Sequence, residues 1–122
     1  MTTTLCTSAE VKLAAGANVS TALTEANYTT FINQAEGQLC ADTLVDWVSA
    51  YSGVSANYKK IIENACANYA AVQAINYDPS GYTSLNEAAT MVNICLDRYD
   101  RAVTKLKEAN VYKPFGASQI TQ

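Results

Sequence analysis

The sequence predicts an all-α protein: a small helical bundle of about four to five helices, with a long C-terminal helix and an extended C-terminal tail. Three observations predict it. Apolar residues recur at spacings of three and four in each long segment, and no stretch alternates with a period of two. Two capping boxes, Thr7 to Glu10 and Ser84 to Glu87, stand at the head of helical patterns. The patterns are separated by turn residues at Gly16, Gly53 and Asp78-Pro-Ser-Gly81. A chain of 122 residues and 13.1 kDa builds one core. The expected division is an α-helical domain over 1–110 and an extended tail over 111–122.

The first helix opens at the Thr7 box and runs to about Ala15, where Gly16 supplies a backbone conformation that other residues resist. A polar, β-branched loop over 17–23 leads to Thr24, which caps a second helix with Glu25 in its first turn. That helix carries the stripe Tyr28, Phe31, Ile32, Ala35 and Leu39, and ends or bends near Asp42. Leu44 to Tyr51 reads as a short helix anchored by Trp47, the one Trp of the chain. Ser55 caps a helix over about 56–77 that has Tyr58, Ile61, Ile62, Tyr69, Val72 and Ile75 on its apolar face. Many Ala flank that face, so neighbours approach its backbone closely and it is expected to be the central helix. The last helix runs from Leu85 to about Ala109, with Asn110 as its C-terminal cap.

Composition excludes several classes. Hydrophobic residues are 49% of the chain, but 20 are Ala and 8 are Tyr, so large aliphatics are few and the driving force for folding is modest. A subunit stabilised by neighbours suits such a core. With no His, a His-based triad or imidazole metal site is excluded. No run approaches the ~20 apolar residues that span a bilayer, so no membrane role is expected. The opening Met1 to Cys6 has neither the basic nor the apolar region of a secretory signal. Net charge is −3, with the acids concentrated in the first half (Glu10, Glu25, Glu36, Asp42, Asp46 against Lys12) and a slight basic excess in the second.

Catalytic motifs are absent, so the chain is not expected to be an enzyme or to carry a cofactor or metal. The four Cys (6, 40, 66, 95) lie about thirty residues apart, without the close pairs that zinc ligation uses. They are expected as reduced packing residues, with Cys66 and Cys95 on buried stripes. Asp97 and Asp100 share a helix face with Arg98 and Arg101, which points to ion pairing. Eight Tyr suit core and interface packing.

Several strings carry a resemblance. Ala9-Glu-Val-Lys-Leu-Ala-Ala-Gly-Ala-Asn-Val19 is followed by Phe31-Ile-Asn-Gln-Ala-Glu36, then Trp47 near mid-chain. Tyr58-Lys-Lys-Ile-Ile-Glu-Asn-Ala65 and Ile75-Asn-Tyr-Asp-Pro-Ser-Gly-Tyr-Thr-Ser84 come next. Asn86-Glu-Ala-Ala-Thr-Met-Val-Asn-Ile94 then runs into Asp97-Arg-Tyr99. Over residues 5 to about 110, this order resembles the head–tail connector, or adaptor, proteins of tailed bacteriophages. Cys40, Cys66 and Cys95 depart from that pattern.

The resemblance implies a structural virion subunit, made in the bacterial host cytoplasm, that forms a homo-oligomeric ring, usually dodecameric. Such a ring lies between the portal protein and the neck or tail proteins, and double-stranded DNA passes through it without sequence-specific contact. Its lumen is expected to avoid the cations that hold phosphate, so Glu25, Glu36 and Asp42 are channel-lining candidates. The tail is expected to dock on a neighbouring subunit or the portal through Val111, Tyr112, Lys113, Pro114, Phe115 and Ile120, because its apolar residues cannot form a core of their own. The alternatives are another phage structural protein, such as a tail-completion or head-decoration subunit, and a small helical nucleic-acid-binding regulator that uses the basic end of the last helix.

Overall fold

In the computed structural model, which describes residues 5–16, 19, 21–43, 46–54, 56–78, 82 and 85–112, local chemistry sets where each helix starts. Thr7 caps α1 (Ser8–Ala15) through a complete box. The Glu10 N–H donates to Thr7 Oγ1 at 3.3 Å, and the Thr7 N–H donates to Glu10 Oε1 at 2.8 Å. Gly16 ends the helix with φ 94° and ψ 177°, a region essentially confined to glycine, while its N–H donates to the Lys12 carbonyl at 3.0 Å. At α2 (Glu25–Thr43), Thr24 and Asn27 exchange hydrogen bonds in the same reciprocal way, with Asn in the place of the usual Glu.

Asp46 caps α3 (Trp47–Ala50), which tightens into a single 3₁₀ turn over Tyr51–Gly53. Leu44 and Val45, expected at the start of this helix, and Ser55 and Ser84, expected as caps, lie outside the described residues. Trp47 anchors the segment as expected. It is fully buried, and its indole N–H donates to Thr43 Oγ1 at 2.7 Å, whose hydroxyl donates in turn to the Leu39 carbonyl.

The two long helices, α4 (Ala56–Tyr77) and α5 (Leu85–Tyr112), form the spine. α4 packs most extensively on α5, then on α2 and α1, so it is the central helix. Ala65, Ala67, Ala70, Ala71 and Ala74 are all buried along it, and their small side chains let three helices approach one backbone. Leu5, Val11, Tyr28, Ile32, Leu39, Trp47, Ile62, Ile75 and Leu106 fill the spaces between them. Among the described residues there is no strand.

One boundary needs correction. Asn110 does not cap α5, which continues through Val111 to Tyr112, so these two residues belong to the helix and not to an extended tail. Asn costs a helix interior only a few tenths of a kcal/mol, and no glycine intervenes before Pro114. The residue before a proline disfavours the helical conformation, which makes that ring the first real stop signal. Lys113, Pro114, Phe115 and Ile120 lie outside the described residues.

Candidate functional site

The three acids proposed to line a channel have different fates. Glu25, in the first turn of α2, is well exposed and faces Lys12 Nζ at 3.6 Å. Glu36 is not a lining residue: it is only 6% exposed, and its Oε2 accepts the Leu5 N–H at 2.9 Å. Its carboxylate closes the segment before α1 onto α2. Asp42 is likewise a cross-tie, half-buried, with Oδ1 accepting from Gln38 Nε2 at 2.9 Å and Oδ2 accepting the Tyr99 hydroxyl at 2.5 Å. Burial pushes the Tyr99 phenol upward, and the Asp42 carboxylate adds to the effect. Tyr51 and Glu63 make a second phenol–carboxylate tie at 2.5 Å.

Two surface features converge at the α4–α5 seam. A cleft of about 310 Å³ lies between α1, α4 and α5, and Glu10, Lys60, Glu63 and Arg98 are among the residues that line it. Beside it runs a groove of about 340 Å³, floored by Ile61 and Ala102 and edged by Lys60, Arg98, Arg101 and Lys105. Among its described lining residues there is no carboxylate, although Arg101 is bridged to Asp97 at 3.0 Å along the helix, the ion pairing expected for this face. The basic character of α5 was legible in its sequence. Lys60 was not assignable to this group, because only the pairing of α4 with α5 brings it there.

The thiols sit as follows. Cys66 and Cys95 are buried, as their stripes predicted, and Cys95 Sγ lies 3.6 Å from the Ala14 carbonyl. Cys40 is half-buried. Cys6 is also buried, with its Sγ 3.2 Å from Cys66 Sγ. This juxtaposition of residues sixty positions apart has no sequence signal. The adjacent Cys6 thiol and burial both push Cys66 upward, so it stays protonated.

Among the described residues, no group of three or more His, Cys, Asp or Glu is placed to hold a metal ion, and no helix is long and apolar enough to cross a membrane. No family model, curated protein or solved structure matches the chain. The charged surface features on these helices are the cationic groove on the α4–α5 spine and the exposed Glu25, paired with Lys12, at the start of α2.

Proposed function

We propose that the chain is a structural subunit of a tailed-bacteriophage virion, a head–tail connector that assembles as a ring between portal and neck or tail and extends the DNA channel. The strings that resemble connector proteins run through α1, α2, α4 and α5, the helices of the bundle. The observation that carries an assembling role is the α4–α5 groove, which sets Lys60, Arg98, Arg101 and Lys105 around an apolar floor. Glu25 and Asp46 are exposed acids in the other half of the chain, while Asp97, Asp100 and Glu108 are exposed on α5 itself. A ring uses a heterologous contact, one face of a subunit against a different face of the next. Opposite charge on those two faces orients the docking and suppresses the wrong register. On this reading the protein is non-enzymatic and needs no cofactor, and its partners are further copies of itself, the portal, and the neck or tail proteins.

Native mass spectrometry and negative-stain imaging of the purified chain at low ionic strength test this reading, together with its location in the virion. A closed ring that dissociates on charge reversal at Lys60→Glu with Lys105→Glu is the expected result. A chain that stays monomeric at every concentration and salt, and is missing from the particle, overturns it. The cationic groove also favours a second reading, a nucleic-acid-binding regulator. Tight DNA binding with a steep salt dependence and no ring would select that reading instead.

A further inference from the structure

We propose that Cys6 and Cys66 are a disulfide-forming pair, a covalent staple between the segment before α1 and the central helix α4. Two buried thiols face each other here, sulfur to sulfur, at 3.2 Å. A disulfide needs about 2.05 Å, so closure asks for a shift of roughly 1.2 Å. Cys6 can supply it, because it precedes the first helical residue, Ser8, and its backbone is not part of a helix. Cys66 lies mid-way along α4 and provides the fixed partner. The Leu5 N–H bond to Glu36 ties the neighbouring residue to α2 and so keeps this segment against the bundle. Cys95 is not a rival partner, as its sulfur is engaged with the Ala14 carbonyl on the side of the bundle where α1 meets α5.

The oxidant is a low-molecular-weight disulfide such as oxidised glutathione. One cysteine thiolate attacks a glutathione sulfur, breaking that S–S bond, forming a mixed disulfide and releasing one glutathione thiolate. The second cysteine then attacks the protein sulfur and releases the other. The protein loses two protons and two electrons, and both appear on the two glutathione thiols. Because Cys66 is held protonated in the closed core, the exchange proceeds during folding or when the segment before α1 opens.

The test is to refold the reduced full chain in a glutathione redox buffer near pH 8, quench with acid, and map the peptides by mass spectrometry. The expected product has lost two hydrogen atoms, carries a Cys6–Cys66 cross-linked peptide, and leaves Cys40 and Cys95 free. Its thermal midpoint rises by roughly 10 °C or more and returns to the starting value with dithiothreitol. The double variant Cys40→Ala with Cys95→Ala should still form the bond, and Cys6→Ala should not. The proposal is overturned if wild-type chain yields no intramolecular disulfide, if the cross-links scatter among other pairs, or if the bonded form melts lower than the reduced one.

Discussion

Replacing Tyr99 with Phe should destabilise the protein by about 2 kcal/mol, the worth of a hydrogen bond to a charged acceptor. Tyr99 is 3% exposed on α5, and its hydroxyl reaches Asp42 on α2, 57 positions away in sequence. The Phe ring keeps the contact with Tyr69, whose centroid lies 5.1 Å away, so packing is preserved and only the polar tie is lost. Asp42 retains its bond from Gln38, which places the loss in the lower half of the ~1.5–3 kcal/mol range for such bonds. The converse change, Asp42→Ala, leaves a buried phenol without its acceptor and should cost about 1–3 kcal/mol. Because both substitutions remove the same interaction, the double variant should fall short of their sum by about 1–2 kcal/mol. Urea unfolding followed by fluorescence of the single buried Trp47 and by far-ultraviolet circular dichroism measures all four corners of the cycle. For a chain of 122 residues, the unfolding entropy is about 0.26 kcal/mol/K, so the Tyr99→Phe variant should melt roughly 8 °C lower. Additivity within about 0.3 kcal/mol, or a neutral Tyr99→Phe, would refute the idea that this pair ties α5 to α2.

Gly16→Ala should cost about 1–3 kcal/mol from backbone conformation alone, since the added Cβ would meet Met91 Cε only at an ordinary 3.5 Å; an unchanged urea midpoint would contradict this. Burial pushes the Tyr82 phenol up to about 12, above the ~10 of an unfolded chain, and its hydroxyl donates to the Ala15 carbonyl at 2.7 Å. Its stabilising contribution is therefore complete below pH 10 and lost as pH rises towards 12; Tyr82→Phe should flatten the fall in melting temperature over that window, and an unaltered slope would count against it. In the absence of denaturant, thiol reagents should modify half-buried Cys40 well before Cys66 or Cys95, and Cys66→Ser or Cys95→Ser should destabilise by about 1–3 kcal/mol; rapid labelling of all four cysteines would show the placement to be wrong. Deleting residues 113–122 should leave helical circular dichroism near wild type and yet prevent incorporation into virions, an outcome excluded by normal particles built from the truncated chain.

What the sequence made legible was local. Capping chemistry located the start of α1 at Thr7 and of α2 at Thr24, and the Ala-rich stripe identified α4 as the central helix, because each is decided by residues within a turn or two of one another. The end of α5 was misplaced because Asn110 is a permitted cap and also a tolerable helix residue, and propensity alone does not choose between them. The partners of polar side chains were not legible. Glu36 and Asp42 read as surface acids on a helical face, and only the packing of distant segments turns them towards Leu5 and Tyr99. The buried Asn68, whose side-chain amide donates to the Asn64 carbonyl at 2.7 Å, has no sequence signal for the same reason.

These inward-turned polar groups bear on how the molecule could assemble. In a core short of large aliphatics, the elements are tied by aromatic residues that bury a ring and offer a polar tip: Trp47 to Thr43, Tyr82 to Ala15, Tyr99 to Asp42 and Tyr51 to Glu63. Of the eight Tyr, which the sequence assigns to core and interface packing, Tyr28, Tyr82 and Tyr99 are committed inside the chain. Among the described residues, the exposed large apolar side chains Leu13, Val48, Tyr77 and Ile94 lie on four different helices. Single apolar residues of this kind are ordinary surface and do not define a docking seam. The surface with organised character is electrostatic: the four-cation groove of α4 and α5, and Glu25, the one channel-lining candidate that stays well exposed. An assembly built on those faces is held by charge, so it should loosen as ionic strength rises, whereas an apolar seam would tighten with kosmotropic salt.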